Sequence, residues 1–67
     1  MKIILNNRPE EFDKNSLSVA ELINEKNFTF KLLVTKINGK LVKKNERDSA
    51  LIYDGDRVEV IHLVSGG

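Results

Sequence analysis

One stretch of this chain announces a helix. Ser18-Val-Ala-Glu21 has the S-x-x-E spacing of a capping box. The serine oxygen accepts from the third helical amide while the glutamate reaches back to the cap's own amide. Leu17 before the cap and Leu22 stand at hydrophobic-staple spacing, and Val19, Leu22 and Ile23 fall on one helical face. Lys26 suits the negative end of the helix, and Asn27 suits the left-handed position that follows it, so the spacing predicts a helix over residues 19–26. No other part of the 67 residues has comparable helical periodicity. The remaining apolar side chains must therefore be buried from strands. That restricts the chain to an α+β arrangement around a single helix.

The strands are marked by their turns. Lys2 to Asn6 is short, apolar and β-branched, and Asn6-Asn7 tolerates the left-handed conformations of a tight hairpin. Its return segment, Arg8 to Phe12, contains Pro9, which has no N–H for a ladder and so belongs at a sheet edge. A second hairpin runs from Lys31 to Ile37 and back through Lys40 to Lys43. Asn38-Gly39 joins the two halves, and both of its residues accept positive φ. Lys44 to Ala50 is polar and reads as a loop with a helical turn. Asp54-Gly55-Asp56 turns the chain into a last strand, Arg57 to Val64, giving the order β-β-α-β-β-β.

The last strand is unusual in its second half. Val58, Val60 and Val64 share one parity and are expected to face the core with His62 among them, while Arg57 and Glu59 face water. Ile61 and Leu63 then make the outward parity apolar as well. The strand is expected to be covered on both faces, either by the loop at residues 44–53 or by a partner. Immediately afterwards the sequence reads Ser65-Gly66-Gly67. Two consecutive glycines form a thin arm without side chains.

Composition removes several function classes. There is no cysteine, hence no disulfide, no cysteine-ligated zinc and no thiol nucleophile, and there is one histidine. Lys plus Arg number 11 against 10 for Asp plus Glu, a net charge of +1 that gives no dominant field for nucleic acid or anionic membrane. Apolar runs are too short for a transmembrane helix or a signal peptide, so a soluble, cytoplasmic protein is expected. One domain over residues 1–64 and a flexible tail over 65–67 account for the length.

The opening hairpin, the capped helix, the Ile37-Asn38-Gly39 turn, Asp54-Gly55-Asp56 before the last strand and the closing Gly66-Gly67 together resemble the ubiquitin-like β-grasp sulfur carriers. The likeness is nearest to the thiamine-biosynthesis branch, the ThiS family, and extends over the whole length. It implies an α+β β-grasp fold, a mixed sheet of four to five strands with one main helix packed on one face. It also implies that the chain is no enzyme but a protein cosubstrate. In the family's mechanism an E1-like adenylating enzyme uses ATP to convert the Gly67 carboxylate into an acyl-adenylate. A persulfide enzyme then donates sulfur to give a thiocarboxylate, and a thiazole synthase receives that sulfur. Gly67 would be the modified residue, Gly66 and Ser65 the clearance for the arm, and Ile61, Leu63 and Val64 the docking surface. No cofactor or metal is expected on the chain itself. One departure is that many relatives carry a proline and an aromatic residue after the Asn-Gly hairpin, where this chain has Lys43-Lys44-Asn45-Glu46.

The physical chemistry of the residues is compatible with that mechanism. An α-carboxyl with a pKa of about 3.5 is ionised at neutral pH and needs no local base to attack a phosphate. A free carboxylate is a poor acyl donor, and adenylation supplies the leaving group. Three residues, Ser65 to Gly67, extend roughly 10 Å at about 3.3 Å each, enough to cross a partner's surface layer. A Gly66→Val change, which adds a Cβ to the arm, is expected to stop loading with little loss of stability. Other side chains offer weaker chemistry. His62 is expected to be a packing or surface residue, Asp54 and Asp56 to shape a turn, and Lys40, Lys43, Lys44 and Arg47 to form a solvated face. Three classes stay open on the residues alone. They are a sulfur carrier for this or another thiolation pathway, a ubiquitin-like modifier joined to lysines, and an RNA-binding module that would need neither glycine.

Overall fold

The computed structural model describes residues 1–29 and 31–63. Strand β1 (Lys2–Leu5) turns through Asn6-Asn7, both at positive φ, into β2 (Arg8–Glu11). A short β3 (Ser16–Ser18) runs straight into helix α1 (Val19–Glu25). The second hairpin is β4 (Leu33–Ile37) and β5 (Lys40–Val42), joined by Asn38 and Gly39 at φ 51° and 82°. A 3-10 turn (Lys44–Glu46), β6 (Leu51–Tyr53) and β7 (Arg57–His62) follow.

Five strands form one mixed sheet in the order β2-β1-β7-β4-β5. The central pair β1 and β7 is parallel, and the other neighbours are antiparallel. Each hairpin signal of the sequence thus supplies one flank, and β7 fills the place between them. This is the mixed sheet with one helix expected of a β-grasp fold, with five strands realised.

The helix begins as its spacing requires. The Glu21 N–H donates to Ser18 Oγ at 3.0 Å, and the Ser18 N–H donates to Glu21 Oε1 at 2.9 Å. At the other end the Phe28 N–H donates to the Ile23 carbonyl and the Asn27 N–H to Asn24, with Asn27 at φ 55°. That is a Schellman closure with asparagine in the left-handed position usually held by glycine. Val19 and Leu22 are fully buried and meet Ile3, Leu5, Val58 and Val60 from one face of the sheet, Val42 from β5, and Leu17 and Ile52 from β3 and β6.

The structure revises three expectations. First, β3 and β6 pair antiparallel as a separate two-stranded sheet, with Leu17 opposite Ile52, both buried. Three residues per strand are too few to show alternation, so this pairing has no sequence signature. Second, His62 does not sit in the core: it is exposed, because the core ends at Val60 and the strand at His62. The expected inward Val64 lies outside the described residues. Third, the 44–53 segment does not cover Ile61 and Leu63. It packs beside the helix, where Val19 N–H donates to the Ala50 carbonyl and Ala20 N–H to that of Arg47. Ile61 and Leu63 stay 39% and 46% exposed.

Candidate functional site

Register decides what surrounds Ile61. Val34 stands opposite Ile61 and Lys36 opposite Glu59, and within the β4–β5 hairpin Leu41 stands opposite Lys36. These residues therefore share the face of the sheet turned away from the helix. The Leu63 N–H donates to the Leu32 carbonyl at 3.0 Å, which carries the same register one residue past the strand. Leu32, Val34, Leu41, Ile61 and Leu63 thus form an apolar area on the open face, with Leu32 half exposed and Leu41 58% exposed. Sequence reasoning named Ile61 and Leu63 but missed the three partners. Leu41 was within reach, since the Asn38-Gly39 turn sets Leu41 opposite Lys36. The neighbourhood of β4 and β7 was not, because it joins segments distant in the chain.

Among the described residues, both edges of the five-stranded sheet are poorly suited to strand addition. At one edge Ile4 directs its N–H to the Asp56 carbonyl across the sheet, so Pro9 opposite it turns toward solvent, where it lacks a donor. At the other edge β5 is only three residues long, and the Glu46 carboxylate accepts the Lys43 N–H at 3.0 Å. Short edges, proline and an occupied amide all oppose strand addition.

The end of β7 is held from both sides. β4 binds it through Leu63. On the side of β1, where that strand has already turned away, the Asn6 side chain substitutes for a backbone partner. Its Nδ2 donates to the Val60 carbonyl at 3.2 Å and its Oδ1 accepts from the Val60 N–H at 2.9 Å. The chain is thereby fixed in direction just before the glycine arm. Val64, expected among the docking residues, and Ser65, Gly66 and Gly67, expected to form the arm, lie outside the described residues.

The other side chains with possible chemistry have structural partners. Asp54 accepts from the Lys2 N–H at 2.6 Å, and Asp56 accepts from Asn38 Nδ2 and the Tyr53 N–H at 3.0 and 2.9 Å. The pair is a turn clamp. Among the described residues no three His, Cys, Asp or Glu side chains gather as a metal site, and no helix is long and apolar enough to cross a membrane. The Glu21 carboxyl is held below its usual range by the Ser18 backbone and hydroxyl hydrogen bonds of the cap.

Comparison with known proteins gives consistent matches. The model of the ThiS family matches residues 3–67. The crystal structure of a thiamine biosynthesis protein (ThiS) from Geobacter metallireducens superposes with a TM-score of 0.89 at 28% identity, covering all of both chains. An NMR solution structure of a thiamine biosynthesis protein from the same organism gives 0.80 at 28% identity, covering this chain completely and 88% of the other. An uncharacterized protein of Trieres chinensis, ycf40, is 28% identical over 61 residues, 91% of this chain and 84% of that protein.

Proposed function

Because the chain belongs to the ThiS family, we propose that it is a sulfur carrier of thiamine biosynthesis, loaded at the Gly67 carboxylate. The observation that carries this reading is the family match running through Gly67, after a strand whose outer parity turns apolar and exposed at Ile61 and Leu63. The carboxylate of Gly67 attacks the α-phosphate of ATP on an E1-like adenylating enzyme and expels pyrophosphate. The terminal sulfur of a persulfide then attacks the acyl carbon and expels AMP. A thiol of the partner cleaves the resulting S–S bond, which leaves a disulfide on the partner and a thiocarboxylate on Gly67. A thiazole synthase takes up that sulfur, and an oxygen atom from water or from the sulfur acceptor replaces it at the acyl carbon to restore the carboxylate.

The chain's own part is to present the arm. It has no cysteine, so both thiols of the sequence belong to partners. Gly66 and Ser65 give the arm a narrow profile, and Ile61, Leu63 and Val64 dock the body so that the carboxylate reaches the nucleotide. Docking of a preformed face converts the reaction into an oriented encounter. The test is intact-mass analysis after incubation with ATP, a persulfide-loaded sulfur donor and a ThiF-like adenylating enzyme. An oxygen-to-sulfur mass change confined to the C-terminal peptide is expected. Its absence with every such enzyme of the source genome would sink the proposal, and isopeptide adducts on lysines would reassign the chain as a modifier.

A further inference from the structure

The geometry points to a partner that meets this face with carboxylates around an apolar anchor, held by the cationic border along β5 and the 3-10 turn. Near electroneutrality of the whole chain hides a strong local imbalance. Between residues 31 and 47 stand Lys31, Lys36, Lys40, Lys43, Lys44 and Arg47 against Glu46 alone, six of the 11 basic residues and one of the 10 acidic ones. Glu46 is already bound to the Lys43 backbone amide. A shallow pocket at this edge is lined by Lys31, Lys43, Lys44 and Arg47 together with aliphatic residues that include Leu32, Val34 and Leu41, and by no carboxylate. Two of its lining residues neighbour the Ile61–Leu63 area: Val34 stands opposite Ile61, and the Leu32 carbonyl accepts the Leu63 N–H.

The chemistry of the lining selects among occupants. A second copy of this chain would bring like charges together over the same face, which costs free energy. Single-stranded RNA would seek aromatic stacking platforms, and the lining has none. Arg47 is turned inward, donating through Nη2 to the Leu33 carbonyl at 2.6 Å, so it holds the turn against β4 while the lysines face outward. Among the described residues the side-chain ion pairs are Lys14–Glu25 and Lys26–Glu10, both at the helix. None of the border lysines takes part in these pairs. An acidic protein segment with a leucine- or phenylalanine-sized anchor satisfies both the aliphatic floor and the lysine rim.

This inference rests on reading the Ile61–Leu63 face as a docking surface, and its test separates it from the loading chemistry. In a first arm, backbone amide shifts are followed by NMR while a synthetic peptide with one leucine-phenylalanine anchor between aspartates and glutamates is added. The amides of Leu41, Lys43 and Lys44 are expected to move, and the double variant K43E/K44E to bind about ten-fold more weakly. A control peptide with the same anchor, in which Asn and Gln replace the aspartates and glutamates, should bind more weakly than the acidic one. Equal binding of the two peptides, or tighter saturation of the same amides by a single-stranded RNA oligonucleotide, would overturn the inference. In a second arm, adenylation by the ThiF-like enzyme is measured against carrier concentration and salt. K43E/K44E is expected to raise KM and flatten the salt dependence with kcat unchanged. R8E/K14E, the same charge change beyond the opposite sheet edge, should behave as wild type; equal effects of the two pairs would reduce the border to net charge. Failure of wild type to be adenylated, with the peptide result intact, would count against the carrier reading alone.

Discussion

The Asn6 side-chain amide stands where a strand residue would otherwise be, matching the N–H and C=O of Val60 with one acceptor and one donor. Asn6 also takes a positive φ of 50°, so one residue both turns the hairpin and extends the sheet. Asn6→Ala leaves two part-buried backbone groups unpaired, and a loss of about 1–3 kcal/mol in urea unfolding is expected. Gly39 makes the contrasting case. Its φ is +82°, yet an added Cβ would meet nothing within 4 Å. Gly39→Ala is therefore expected to cost about 1–2 kcal/mol through backbone strain alone. A much larger loss in the same measurement would mean an unrecognised packing role.

Helix α1 depends on its cap in a way that pH can read. The folded-state pKa of Glu21 is depressed, with the Ser18 backbone hydrogen bond as the leading cause. The stability this carboxylate contributes is present above the unfolded glutamate value, about 4.3, and is lost as pH falls through the lower folded value. Glu21→Gln keeps a capping-box side chain but cannot titrate. Wild type is thus expected to be the more stable at neutral pH and to lose that lead in acid, as followed by helix circular dichroism during unfolding at several pH values. A constant gap between the two proteins would refute the linkage. The helix was legible from Ser18, Glu21 and Asn27 because caps act within four residues. The hairpins were legible for the same reason. β3 and β6 were not, since each finds its strand partner more than thirty residues away.

At the scale of the molecule, the described residues leave one face of the mixed sheet without a layer, and the apolar end of β7 belongs to that face. Ile61→Asp and Leu63→Asp remove apolar contact area from an exposed site, so their effect on stability is expected to stay near 0.5 kcal/mol or below. Loading by the adenylating enzyme is expected to fall sharply. Thermal unfolding and thiocarboxylate yield, measured on the same preparations, check the two halves of this expectation. A large drop in stability would show that these side chains serve the fold.

The sequence by itself determined the local structures, and its likeness to the ThiS family carries the proposed chemistry. Capping, turn conformation and the absence of cysteine are properties of a few neighbouring residues or of composition, and the closing diglycine marks the group proposed to react. Tertiary structure decided what the apolar parity of β7 means. Ile61 and Leu63 could equally have been core residues, since period two states only that they share a face. That the 44–53 segment packs beside the helix, leaving this face open beside Leu32, Val34 and Leu41 under a border of lysines, follows from β4 and β7 meeting across the chain. Such long-range pairing is set by the joint burial of Leu17, Leu22, Ile52, Val58 and Val60, which no local pattern encodes.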